Sequence, residues 1–116
     1  MRRTSKTRHL HRELDGLKVQ YREAGVPSDT AILLLHGFPN SSYSFREVLP
    51  TLGEHVYAVA PDLPGFGFSD APALEEYTFE RLSQVIEALV DELGVARYVL
   101  YVTDFGTPVG YLMALR

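Results

Sequence analysis

The chain contains no cysteine and no tryptophan, and it has little histidine, four residues in 116. Without cysteine there is no disulfide framework and no thiolate chemistry. No apolar run approaches the roughly 20 residues that span a bilayer. The longest, residues 31–35, is strand-sized. An excess of positive charge is also missing: the formal net charge is -4, which gives no reason to expect a nucleic-acid or acidic-lipid surface. There is no internal repeat and no low-complexity segment. What is present is enough for one small domain, since 46% of the residues are hydrophobic and can build a core.

The first twelve residues are locally basic, with Arg2, Arg3, Lys6, Arg8 and Arg12 beside His9 and His11. They develop no apolar helical face and no signal-peptide core. Residues 1–9 are therefore expected to be a disordered polar leader running into a first strand, and the expected location is cytoplasmic. Asp15-Gly16, flanked by residues 10–13 and 17–23, marks a hairpin. Residues 31–35 are apolar throughout, as suits a central strand covered on both faces. Ser41 or Ser42 can cap a following helix that carries Phe45, Val48, Leu49 and Leu52, with Pro50 bending or ending it and Gly53 closing it. Residues 56–60 form another apolar strand, ending in a Gly/Pro-rich loop over 61–70. Residues 77–93 read as a helix with Leu82, Val85, Ile86, Leu89 and Leu93 on one stripe, Thr78 as its cap and Gly94 as its end. Residues 98–102 are a last apolar strand, and Val109, Leu112, Met113 and Arg116 then recur at helical spacing. An opening hairpin followed by alternating strands and helices means an α/β fold with a mostly parallel sheet and flanking helices.

Three loops follow three apolar strands: HGFP, DLPGFGFSD and TDFG. In open α/β sheets the C-terminal edge of the strands is where ligands bind. The third loop has the form of a nucleophile elbow, a strand, a sharp turn with one reactive side chain, then a helix. Asp104 stands where that pattern usually has serine. A strained turn needs small neighbours two positions away; Gly106 meets that demand and Val102 does not. The free N–H groups opening the helix favour a carboxylate at Asp104. Asp is also a favoured N-cap, so on this stretch alone both readings of Asp104 stand. Ser42, Ser44 and Ser69 lie away from the elbow and are expected in capping and turn roles.

Taken together, LLLHGFPNSSYSFR, APDLPGFGFSD and YVTDFGTPVGYLMALR resemble the N-terminal half of an α/β-hydrolase, in the branch of haloalkane dehalogenases and epoxide hydrolases. The resemblance covers nearly the whole chain, from about Leu10 to Arg116. It implies that Asp104 is the nucleophile and that the backbone N–H groups of Phe38 and Phe105 form an oxyanion hole, with His36 and Gly37 shaping the first loop. It also implies a small apolar organic substrate for the full-length parent, and no cofactor or metal. A carboxylate nucleophile forms an alkyl-enzyme ester at saturated carbon, which a His-activated water then hydrolyses. Haloalkane dehalogenases typically hold the halide with a Trp N–H just after the nucleophile, and many add an Asn amide in the HG loop. Here Phe105 and Phe38 occupy those positions, and neither side chain donates. A dehalogenase acting on fluoroacetate would have Arg after the nucleophile. HGFP is the form seen in epoxide hydrolases, although TDFG departs from their Trp-containing elbow. Epoxide hydrolase-like thus stands ahead of dehalogenase-like.

In this family the order is nucleophile, acid, histidine. The twelve residues after Asp104 contain no Asp, Glu or His, and His9, His11, His36 and His55 all precede it. His36, beneath the expected oxyanion hole, reads as structural. Residues 1–116 are thus expected to be one truncated, partial α/β-hydrolase domain, lacking the C-terminal half and the cap, and inactive as an isolated chain. A non-catalytic binding or interaction module is the alternative. In either case the elbow strand would lie at a sheet edge and invite self-association.

Overall fold

In the structure, a computed structural model, residues 6–116 are described. Asp15 and Gly16 both adopt positive φ, 51° and 81°, as a two-residue turn matched to strand twist requires. They join β1 (Thr7–Leu14) to β2 (Leu17–Ala24), antiparallel, with Leu14 opposite Leu17 and Thr7 opposite Ala24. Strand pairing therefore reaches back into the expected leader, and residues 7–9 are ordered in β1. The reason is a long-range anchor. Arg8 donates to Glu23 Oε1 at 3.1 Å and to the Gly25 carbonyl at 2.6 Å. Residues 1–5 of that leader lie outside the described residues. Buried Glu23 also accepts from the Tyr57 hydroxyl, whose pKa is pushed up by burial and then by Glu23 itself.

The remaining strands, β3 (Thr30–Leu35), β4 (Tyr57–Pro61) and β5 (Arg97–Val102), run parallel. The order across the sheet is β1-β2-β4-β3-β5. The sheet is mixed, because β2 pairs antiparallel with β4 and so attaches the hairpin to the parallel strands. β4 is central in that order, and β3 lies between it and β5, with Ala31 level with Tyr57 of β4 and Tyr98 of β5. Side chains alternate between the faces of a strand. Ala31, Leu33 and Leu35 accordingly join Tyr57 and Val59 in the larger core beneath the long helix, while Leu34 joins Ala58, Ala60, Phe45 and Leu49 in a smaller core on the other face.

The helix expected after Ser41 is broken in two. Ser41 caps a 3-10 turn, Ser42–Phe45, by accepting the Tyr43 N–H, and a single α-helical turn follows as α1 (Leu49–Leu52). Pro50 sits at the start of α1, where its missing N–H leaves no bond unmade. α2 (Phe79–Glu92) carries the expected cap, with Thr78 accepting the Arg81 N–H. Its stripe is buried through Leu82, Val85, Ile86 and Leu89. α3 (Gly106–Ala114) packs on the same face, and Arg116 ties it to α2 through Glu87 at 3.1 Å and Ser83 at 2.5 Å. Among the described residues no helix is long and apolar enough to cross a membrane.

Candidate active site

The C-terminal ends of β3, β4 and β5 bring the three loops together. Asp104 lies between β5 and α3 with φ 49°. This left-handed backbone costs a residue with a Cβ about 1 kcal/mol or more, and such strain is kept where the surroundings enforce it. The enforcement is visible. A Cβ on Gly106 would lie 2.7 Å from the Leu35 carbonyl oxygen and 2.8 Å from that of His36. Only glycine lets α3 start this close to the end of β3. Val102, the residue too large for the usual elbow pattern, is accommodated from the helix side. A Cβ on Gly110 would lie 2.6 Å from Val102 Cγ1, so the small residue needed here sits one helical turn along α3. Gly110 was not singled out in the sequence; the G-x-x-x-G spacing of Gly106 and Gly110 was the available signal.

Asp104 is exposed, and its side chain reaches across to the first loop. The Phe38 N–H donates to Asp104 Oδ2 at 2.9 Å. Gly37 permits that approach, since a Cβ there would stand 2.8 Å from Asp104 Cβ. The carboxylate thus faces the loop after β3, whereas an N-cap side chain would turn back onto its own helix. The N-terminal position of α3 is taken by Phe105, whose backbone is already helical.

His36 is fully buried and binds two loops. Its Nε2 accepts the Leu63 N–H at 2.9 Å, and its Nδ1 lies 2.9 Å from the Gly37 carbonyl oxygen. An amide N–H can only donate, so Nε2 carries no proton and Nδ1–H donates to Gly37. Burial holds the imidazole pKa below the ordinary histidine value, although the Gly37 bond works the other way. Asp62, also buried, ties the second loop down by accepting the N–H groups of Ser42 at 2.8 Å and Phe68 at 3.0 Å. Ser69 Oγ donates to the Asp62 carbonyl at 2.7 Å and accepts the Gln20 N–H at 2.9 Å.

Aromatic rings cluster around Phe105, the residue after Asp104. The Phe105 ring centroid is 6.0 Å from that of Phe38, 5.4 Å from Phe66 and 4.8 Å from Phe79. Of the rings facing Phe105, sequence reasoning named only Phe38 as a site residue. Phe79 stands three residues before Leu82, so it extends the α2 stripe one turn toward the elbow. Among the described residues no group of three or more His, Asp or Glu is placed to hold a metal.

A family model described as alpha/beta hydrolase fold matches residues 30–116. The chain belongs to the α/β-hydrolase family. It is 46% identical over 102 residues to an uncharacterized hydrolase of Saccharomyces cerevisiae, covering 88% of this chain and 35% of that protein. It is 40% identical to epoxide hydrolase 3 of Xenopus tropicalis, covering 87% of this chain and 28% of the relative. Among solved structures, an epoxide hydrolase from Vigna radiata superposes with a TM-score of 0.86 at 38% identity, over 94% of this chain and 35% of that one. A haloalkane dehalogenase of Bradyrhizobium diazoefficiens is 34% identical over 101 residues, 87% of this chain and 32% of that protein. This α/β-hydrolase chain therefore spans about a third of the length of the curated relatives it matches.

Proposed function

We infer that Asp104 is the nucleophile of a hydrolase that opens small, uncharged organic electrophiles, epoxides ahead of alkyl halides, through an alkyl ester on its carboxylate. One observation carries the reading: a strained aspartate at a strand-to-helix turn whose Oδ2 accepts a backbone N–H from the facing loop. That hydrogen bond distinguishes the two oxygens. Oδ2 is held by Phe38 and becomes the carbonyl oxygen of the ester; Oδ1 attacks carbon. When water later adds to the ester, charge develops on Oδ2, where the Phe38 and Phe105 N–H groups stabilise it. The epoxide carbon–oxygen bond breaks as the carboxylate–carbon bond forms, leaving an alkoxide on the adjacent carbon that takes up a proton.

The surrounding rings favour epoxides. Phe38, Phe66 and Phe105 supply no N–H or O–H side-chain donor for a departing halide, whereas the alkoxide of an opened epoxide stays attached to the bound product. Likeness to proteins named epoxide hydrolases supports the same order. Hydrolysis of the ester requires a general base, and His36 is excluded because both ring nitrogens are bonded. His9 lies in β1, four strand spacings from β5 or about 19 Å, and His11 lies in the same strand. His55 lines a hollow with Thr30, at the opposite end of β3 from the site. None of the four histidines in these 116 residues is therefore placed to serve as that base. Incubation with 1,2-epoxyhexane should add a single reagent mass to the protein, and Asp104→Asn should abolish the addition. Equal labelling of the variant would remove Asp104 from the reaction.

A further inference from the structure

β2 supplies none of the three loops, yet one of its side chains reaches the first of them. Arg22 stands level with Ala60 of β4, on the smaller-core face of the sheet. Its Nε–H donates to Ser42 Oγ at 2.9 Å, and its guanidinium carbon lies 5.4 Å from the centroid of the Tyr43 ring. Ser42 is 1% exposed, and its own N–H donates to Asp62 Oδ1 at 2.8 Å. The first loop is therefore pinned at two places, its start by His36 and its end by Ser42. Between them the Asn40 N–H closes a turn on the Gly37 carbonyl at 2.8 Å, so residues 37–40 move as one unit. Phe38, whose N–H donates to Asp104, lies inside that unit.

We propose that Arg22 is a positioning residue for the reaction at Asp104, setting the Phe38 N–H through Ser42. The proposal rests on the reading of Asp104 as nucleophile and adds a residue from outside the three loops. A guanidinium suits the task. It is planar and always charged, and it can donate through Nε–H while its face lies over an aromatic ring. One side chain thereby fixes two consecutive residues of the 3-10 turn, Ser42 by a hydrogen bond and Tyr43 by its ring. Released from Arg22, Ser42 can rotate about its N–H bond to Asp62, and the turn at 37–40 then swings on His36. Good N–H···O bonds span only about 2.7–3.2 Å. A swing of about 1 Å at Phe38 would therefore take its donor away from Asp104 Oδ2.

The test is Arg22→Ala, with Ser42→Ala removing the same hydrogen bond from the other side. Two quantities are read on the isotope-labelled 116-residue chain: the amide proton shift of Phe38 and the rate of Asp104 alkylation by 1,2-epoxyhexane. In both variants the Phe38 signal should move toward its position in Asp104→Ala, which has no acceptor. Signals of α2 should stay in place, and alkylation should slow about threefold from lost positioning. The double variant should fall no further than Arg22→Ala alone, because both changes cut one connection. A merely structural role would lower the urea midpoint and leave the Phe38 signal where it is. An unmoved Phe38 signal in Arg22→Ala, or an unchanged rate where the native chain reacts, overturns the proposal and leaves Asp104 as the nucleophile. If the native chain is not alkylated at Asp104, the nucleophile reading fails, and the Phe38 signal alone decides whether Arg22 sets that N–H.

Discussion

The Phe38 N–H donates to Asp104 Oδ2 across 2.9 Å, joining two loops whose residues are 66 apart in the chain. Every feature that brings this pair together is local and can be removed singly. Gly37 clears the space between them, Gly106 lets α3 begin against the end of β3, and His36 fixes the first loop to the second.

Gly37→Ala should separate the pair. Its new Cβ would start 2.8 Å from Asp104 Cβ, and the loop or the aspartate must move. Loss of one oxyanion donor typically costs about 10²–10³ in rate. In the ester-forming step no charge develops on Oδ2, and the donor acts by orienting the carboxylate, so a smaller fall of about tenfold in Asp104 alkylation is expected from lost positioning. Intact-mass time courses of the two proteins check it.

Gly110→Ala should destabilise the fold, because its Cβ meets Val102 Cγ1 at 2.6 Å. A cost of about 1–3 kcal/mol is expected for such overpacking. Val102→Ala in the same chain should restore most of it, giving a coupling energy of about 1 kcal/mol or more in a double-mutant cycle read by urea unfolding. Simple additivity would show that Val102 is not what excludes a side chain at position 110.

Much of the elbow was legible because its signals are local: an apolar strand, D-x-G and helical spacing. The parallel run of β3, β4 and β5 was legible in the alternation of strands and helices. The rest depended on contacts that spacing does not encode. Asp62 looked like one more residue in a Gly/Pro-rich loop, yet its carboxylate accepts from Ser42, twenty residues back. The basic character of residues 7–9 suggested a solvated leader, but Glu23, paired with Arg8 across the hairpin, draws this segment into the sheet. The expected helix after Ser41 had the right apolar residues; Pro50 and the turn at 42–45 divide it. Phe79 had a readable place on the α2 stripe, but nothing in that period shows that its ring meets Phe105.

His36→Ala should cost about 2–4 kcal/mol, since it opens a cavity and strands the buried Leu63 N–H. The native side chain should also make stability pH-dependent. Its folded pKa lies below the ordinary value of 6.5 because of burial. As pH falls through about 6.5 the unfolded chain binds a proton that folded His36 does not, so stability drops with falling pH. The contribution is complete above that pH and is lost progressively toward the lower, folded pKa. Urea midpoints at pH 5 and pH 8 should differ more for the native protein than for His36→Asn.

β5 is an edge strand, with Val99 65% and Tyr101 53% exposed on its outer face. An uncovered edge with apolar side chains pairs readily with another chain. Concentration-dependent self-association by sedimentation velocity is expected, and Val99→Lys should shift the population toward monomer. Identical profiles for the two proteins would place any association elsewhere.

The most direct test of Asp104 is where an epoxide label lands and whether it leaves. Trypsin releases residues 98–116 as one peptide, since neither Lys nor Arg occurs between Arg97 and Arg116. After reaction of the 116-residue chain with 1,2-epoxyhexane, tandem mass spectrometry of that peptide should place one stable adduct on Asp104. Diol in solution should not exceed the background rate, because none of the four histidines is placed to serve as base for hydrolysis of the ester. An adduct on another residue in place of Asp104, or diol accumulating above the background rate by more than one equivalent per chain, would contradict the account.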